Sequence, residues 1–311
     1  DWSMSDRELV VLGTSSKVPT RNRNHNGYLL LWDDEGVLVD PGEGTHRQLM
    51  RSGVRSTRIT RVCLTHLHGD HCLGLPGVLA RLSDQGVRHP VHLHFPASGL
   101  PYVERLLTSS IIDMRLDLVL DPVEGSAVVV DREGFRLRGV PLDHSTDCLG
   151  WRIEEAPRRH MVPEQLAAHG VHGPAIGALE EEGTIRVGDR QVTLEDVTVA
   201  GSGNSAAFVF DTRWCDGALE LAEGTDLLVC ESTFLGSEEA LAHESGHLTA
   251  AQAGQLAARS GAGRLVLTHF SSRYPDVRAF HREAAEHFGD VLVAEDLMRV
   301  PVPRPRLRDE R

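Results

Sequence analysis

The chain has 311 residues, a quarter of them charged, and a formal net charge of −13; this excludes a generally adhesive nucleic-acid binder but allows a local basic groove. No apolar run approaches the ~20 residues needed to cross a bilayer, so no membrane partner is expected. The length suffices for one large domain or two small ones with a buried core.

In chain order, the opening DWSMSDRELVVLG has neither a basic n-region nor a long apolar h-region, and no signal peptide is expected. Short apolar runs predict strands at 8–13 (ELVVLG), 27–32 (GYLLLW) and 36–40 (GVLVD). The loop between the first two carries Lys17, the sole lysine, together with Arg21, Arg23 and Asn24. Helical and strand-like stretches then alternate as GTHRQLMRSG, RVCLT, LGLPGVLARLSDQG and PVHLHF, and again as DLLVCES, TAAQAGQLAARSG and RLVLTHF. Strands with helices on their outer faces predict a single α/β sandwich over 1–311, with its chemistry in loops at strand ends. Residues 158–196 break the rhythm: polar, punctuated by Gly and Pro, with little to bury, they are expected to protrude as an insertion. The Pro/Arg-rich end, 303–311, is expected to be a mobile tail. The cysteines Cys63, Cys72, Cys148, Cys215 and Cys230 are odd in number and scattered. They fit a reducing, cytoplasmic setting better than a disulfide framework, and form no CxxC zinc ribbon.

The densest chemistry lies at 65–71, THLHGDH. His66 and His68, two apart at a strand end, can face one side and share a cation. Gly69 permits a sharp turn, after which Asp70 and His71 point to a neighbouring position. One cation does not easily take all four side chains; two, about 3.5–4 Å apart, can. Imidazole and carboxylate without thiolate favour zinc, with manganese or iron as alternatives. A two-metal site needs further ligands, and His144, Asp211 and His269 close other strand-like runs. His92 and His94 also alternate, but with no acid nearby in sequence they are read as structural. HESGH at 243–247 matches the HExxH pattern of zinc proteases, which requires one continuous helix. Ser245 and Gly246 interrupt it, and Thr249 with Gln252 reads as a capping box, so the helix is expected to begin after His247.

Taken together, HLHGDH, PLDHS, FDT, EST, GHLTAAQA and LTHFSSRY resemble ribonuclease Z, the tRNA 3′-processing endoribonuclease of the metallo-β-lactamase superfamily, with an actinobacterial flavour. The likeness runs from about Leu9 to Val302. It implies an αββα four-layer sandwich (metallo-β-lactamase fold) holding two zinc ions, with manganese possible. By motif, His66, His68 and His144 would hold the first ion, Asp70, His71 and His269 the second, and Asp211 would bridge. Glu231 and His247 would handle protons, with Asp70 sharing in that role. The early loop, with Lys17, Arg21, Arg23 and Asn24, would lie near the substrate's 3′ end, and 158–196 would be the arm that clamps precursor tRNA across a homodimer. The implied reaction removes the 3′ trailer, leaving a tRNA 3′-hydroxyl and a trailer 5′-phosphate. Two departures stand out. Phe210 occupies a position that is often glycine, where only packing changes are expected. Glu180, Glu181 and Glu182 sit in an arm that is commonly basic, which weakens the expected arm–RNA contact, though salt screens it over about 8–10 Å. A competing expectation is a hydrolase of the same fold acting on small phosphodiesters, sulfate esters or another RNA. The arginines at 47, 51, 55, 58 and 61 are a second candidate phosphate-contacting group.

Overall fold

A computed structural model describes residues 7–305, except 157 and 202. The outermost part of the expected tail, 306–311, lies outside the described residues. Six strands open the chain: β1 (Glu8–Gly13), β2 (Gly27–Trp32), β3 (Glu35–Val39), β4 (Arg61–Cys63), β5 (Val91–Pro96) and β6 (Leu118–Val123). The second sheet follows with β7 (Ala127–Arg132), β8 (Phe135–Leu142) and β9 (Cys148–Glu154). Four short strands come next: β10 (Arg158–Met161), β11 (Thr184–Val187), β12 (Arg190–Thr193) and β13 (Thr198–Gly201). The second sheet then resumes with β14 (Ser205–Val209), β15 (Leu227–Glu231), β16 (Arg264–Thr268) and β17 (Val291–Val293). Finally β18 (Arg299–Pro301) returns to pair antiparallel with β1. The two seven-stranded sheets have the orders β18-β1-β2-β3-β4-β5-β6 and β17-β16-β15-β14-β9-β8-β7.

The apolar runs are continuous because the strands are buried on both faces. In β1, Leu9 and Val11 enter the layer between the sheets, while Val10 and Leu12 pack outward against helices. The inter-sheet layer holds Tyr28, Trp32, Phe135, Trp151, Phe208 and Phe210, all at most 1% exposed. Phe210 packs 4.7 Å from Tyr28 and 5.9 Å from Phe208, centroid to centroid, so this departure is absorbed in the core. Helices Thr45–Ser52, Leu75–Asp84 and Leu100–Leu107 cover the first sheet; Asp216–Ala222, Ala250–Ser260 and Arg278–Ala285 cover the second. The result is the expected αββα sandwich. Among the described residues no helix is long and apolar enough to cross a membrane.

In both sheets the chain turns at one common edge. The strands β3, β4 and β5 are parallel, as are β14, β15 and β16, and β8 runs in the same sense as β14 through two antiparallel steps. Their carboxyl ends therefore meet on one side, where ligands commonly bind in such sheets.

The segment 158–196 buries more than its sequence suggests. It is not empty of apolar side chains: Leu166, Val171, Leu179, Val192 and Val197 form a small core of their own, separate from the three sandwich layers. Four of these residues come from elements of four to nine residues and Val171 from the loop between two of them, too short for any periodicity to show in the sequence. Glu180, Glu181 and Glu182 end the helix Pro174–Glu182 and are exposed.

Candidate metal centre

Each candidate ligand stands at a strand end on the shared edge. His66, His68, Asp70 and His71 follow β4, the last two on the single helical turn Gly69–Cys72. His144 follows β8, Asp211 follows β14 and His269 follows β16. Asp211 and His269 adopt left-handed backbone angles, φ 46° and 62°, as does Asp40 (φ 48°) at the end of β3. Such conformations cost ~1–3 kcal/mol each in non-glycine residues. Here they turn the chain sharply, so that three side chains point into one space.

The ligand atoms form two adjoining groups. In the first, His66 Nε2 lies 2.9 Å from His68 Nδ1 and His144 Nε2 lies 3.3 Å from it, while Asp211 Oδ2 is 3.6 Å and 3.8 Å from His66 and His144. In the second, His71 Nε2 is 3.4 Å from Asp70 Oδ2, 3.3 Å from Asp211 Oδ2 and 3.2 Å from His269 Nε2. His269 Nε2 is also 3.0 Å from Asp211 Oδ1. A tetrahedral ion with ligands at about 2.0–2.1 Å separates them by about 3.3–3.4 Å. Both groups bracket that spacing, and Asp211 belongs to both.

The hydrogen bonds fix which nitrogens face inward. His66 Nδ1 donates to Thr65 Oγ1 (3.0 Å), which itself donates to Asp40 Oδ2 (2.7 Å). His71 Nδ1 donates to Asp40 Oδ2 (2.7 Å), His144 Nδ1 to the Gly246 carbonyl (3.0 Å) and His269 Nδ1 to Thr233 Oγ1 (2.8 Å). Four imidazoles thus turn their Nε2 atoms toward one another, with Asn26 Nδ2 also 3.2 Å from His71 Nε2, an arrangement characteristic of rings oriented for a cation. Asp211 Oδ1 is buried without a hydrogen-bond donor, although His269 Nε2 is close. Burial, aided by neighbouring imidazoles, lowers the pKa of His66 and favours its neutral form; for His68 and His144 burial likewise dominates and lowers the pKa. Burial would raise Asp70 and Asp211, but the surrounding histidines outweigh it and hold both as carboxylates. Burial alone would lower the His71 pKa, but Asp211, Asp70 and Asp40 outweigh it and raise it, so its Nε2 proton is one that a bound cation would displace. Neutral His66, His68 and His144 beside ionised carboxylates, with His71 facing two of those carboxylates, are a donor set that suits a pair of divalent cations, and the residues fit that group.

Beside this cluster, Glu231 is fully buried and accepts from Thr212 N (2.7 Å), Thr233 Oγ1 (2.6 Å) and His247 Nδ1 (3.2 Å). Burial pushes the His247 pKa down, but Glu231 and Asp211 outweigh it and raise it to about 9. His247 lies past the break foreseen in HESGH: helix Glu239–Ser245 ends at Gly246, and the next helix starts at Ala250 with Thr249 and Gln252 in a capping box. A cleft of about 620 Å³ opens over the cluster, lined also by Lys17, Val18, Leu73, Phe234 and Ser271.

A metallo-beta-lactamase superfamily model matches residues 20–155, and a beta-lactamase superfamily domain model matches 165–270. The ribonuclease Z of Salinispora arenicola is 52% identical over 305 residues, spanning 98% of this chain and 99% of that one. The chain belongs to the ribonuclease Z family. The Nocardia farcinica member is 51% identical over 97% of this chain and 100% of its own. The solved structure of human tRNase Z, short form, is similar at 26% identity with a TM-score of 0.69, covering 95% and 99% of the two chains. A metallo-beta-lactamase fold protein of Bacillus subtilis (18% identity, TM-score 0.69, 96% and 99% covered) shares the fold.

Within this ribonuclease Z framework other residues singled out in the sequence have partners that the sequence alone did not show. Lys17 and Arg21 are exposed, and Arg23 and Asn24 are half-buried. Arg23 Nη2 donates to the Tyr274 carbonyl (2.6 Å), and Asn24 Nδ2 donates to the carbonyls of His25 (3.1 Å) and Glu43 (2.8 Å). These bonds brace the loop. His92 and His94 do have an acid beside them, supplied by the neighbouring strand: Asp121 Oδ2 accepts from His92 Nδ1 at 2.8 Å. Arg61 Nη1 donates to His94 Nε2 (3.2 Å), which uses that lone pair and places the ring proton on Nδ1, facing Asp121 at 3.6 Å. Asp121 thus bonds His92 while His94 is held by Arg61, and Arg61, also paired with Glu35, is not free for phosphate. Asp40, Thr65 and Thr233 join the site without a motif to mark them, and the position of Asp40 at a strand end is the signal its sequence carries.

Proposed function

We propose that this chain is a metal-dependent endoribonuclease that removes the 3′ trailer from precursor tRNA by two-metal phosphodiester hydrolysis. The observation that carries this reading is the convergence of His66, His68, His144, Asp70, His71, Asp211 and His269 into two adjoining groups sharing Asp211. Zinc fits this nitrogen–oxygen donor set best, with manganese as the substitute. Bound there, two divalent cations make hydroxide available near neutral pH and stabilise negative charge on the phosphate. The chain's own groups supply the rest. Asp211 and Asp70 contribute anionic oxygens, and Asp40 and Thr233 hold imidazole orientation. His247, charged and held by Glu231, donates a proton to the departing oxygen or steadies phosphate charge, a contribution of about 10²–10⁴-fold. The products are a tRNA with a 3′-hydroxyl and a trailer with a 5′-phosphate. Lys17 and Arg21 supply phosphate contacts beside the cleft.

The same reading takes the enzyme as a cytoplasmic homodimer in which 158–196 of one subunit reaches the RNA over the other's site. Resemblance to the family supports this, and the separate small core of that segment suits a self-contained arm. The deciding assay incubates 3′-extended precursor tRNA with the protein, with and without chelator, beside a small chromogenic phosphodiester. Trailer release as one 5′-phosphorylated fragment, abolished by chelation and restored by zinc, is expected. Hydrolysis of the small ester alone would instead assign the site to small phosphodiesters, sulfate esters or another RNA.

A further inference from the structure

The centre's loops are joined by a side chain that none of the ligand assignments involves. Arg213, two residues after Asp211, has its side chain 25% exposed and engaged on three bearings. Its Nε donates to the His243 carbonyl (2.7 Å), its Nη2 to the Glu244 carbonyl (3.3 Å) and its Nη1 to Asp143 Oδ1 (3.1 Å). Its backbone N–H donates to the Asp143 carbonyl (2.8 Å), and the Asp143 N–H donates to Thr212 Oγ1 (3.1 Å). Asp143 precedes His144; His243 and Glu244 precede the turn at Gly246 and His247. One guanidinium therefore links the loops that carry Asp211, His144 and His247.

We propose that Arg213 is a positioning residue for the metal centre, fixing the Gly246 carbonyl against the His144 imidazole and so setting the direction of His144 Nε2. The inference rests on the two-metal reading. Gly246 has φ 80°, and its N–H donates to the same His243 carbonyl that Arg213 holds, at 3.3 Å. Its carbonyl accepts from His144 Nδ1 at 3.0 Å. The space is tight, since a Cβ on Gly246 would stand 2.7 Å from His144 Nδ1. A small displacement of the turn is therefore transmitted to the ring. Lysine could not substitute, because its single ammonium cannot reach three divergent acceptors as a planar fork does. A simple helix-end cap would account for the two carbonyl bonds, but not for the simultaneous tie to the residue before His144.

The two roles differ in what they predict. Metal-free full-length protein and its Arg213→Ala and Arg213→Lys variants are titrated with zinc against a competing chelator, with cobalt absorption reporting coordination and melting temperature reporting the fold. Positioning predicts that both variants lose affinity 10–100-fold at the site containing His144, with the other site changed less than about threefold and the cobalt spectrum altered. Arg213→Lys keeps the charge and guards against a variant that does not fold. Unchanged affinities and spectrum in Arg213→Lys, whatever its melting temperature, would overturn the proposal, as would equal loss at both sites. Failure of the unsubstituted protein to bind two ions would instead overturn the two-metal reading itself.

Discussion

Replacing Gly246 by alanine tests whether a contact outside the ligand set governs metal binding. The left-handed backbone at Gly246, φ 80°, costs a residue with a Cβ ~1–2 kcal/mol. The new methyl group would also lie 2.7 Å from His144 Nδ1 and 3.3 Å from Cε1. Ordinary contact lies near about 3.5 Å, so the ring must recede by about 0.8 Å. Ligand geometry tolerates only about ±0.2 Å, so the bond to the Gly246 carbonyl and the aim of His144 Nε2 are lost together. Loss of such an orienting partner lowers metal affinity by about 10–100-fold, equivalent to ~1.4–2.7 kcal/mol. Gly261→Ala is the control: it has a similar backbone, φ 66°, with nothing within 4 Å of the added carbon. Both variants are expected to melt a few degrees lower without metal, while only Gly246→Ala loses zinc in a competitive chelator titration. Equal zinc affinity in the two variants would refute the reasoning.

Asp211→Asn removes charge from the one side chain common to both ligand groups; metal analysis should find neither site filled at stoichiometric zinc, and trailer cleavage should be undetectable. His247→Ala leaves Glu231 with two remaining donors, Thr212 N and Thr233 Oγ1. The fold and both metals should persist while single-turnover cleavage slows by about 10²–10⁴-fold, and a missing ion in that variant would contradict the role. Lys17→Ala with Arg21→Ala should raise KM for precursor tRNA and flatten its salt dependence with kcat retained, whereas Arg23→Ala should loosen the loop and lower the melting temperature. Trp151→Ala empties a site that is 0% exposed and strands the Leu64 carbonyl that accepts its indole N–H at 3.2 Å; denaturant titration should show a loss of ~3–5 kcal/mol.

The candidate ligands that converge in the structure were legible because four of them crowd into HLHGDH and the rest close apolar strand runs, where the chemistry of this layered fold concentrates. The capping box at Thr249 and Gln252 was equally legible, being a local pairing of side chain and backbone. What escaped notice depends on neighbours remote in sequence. Asp40 acquires its role only because β3 and β4 lie side by side, which brings its carboxylate within 2.7 Å of both Thr65 and His71. Asp121 reaches His92 because β6 pairs with β5. Arg23 reads as a free cation until Tyr274, far along the chain, presents a carbonyl to it. The apolar residues of 158–196 are too dispersed among short elements for any pattern to reveal that they pack together.

The spread of the ligands from His66 to His269 also bears on biosynthesis. At roughly 5–20 residues per second, the ribosome releases the first histidines tens of seconds before the last one emerges. Throughout that interval the nascent chain offers only part of a cage. On the two-metal reading, a complete cage, and with it any selection among divalent cations, therefore waits until β16 joins its sheet.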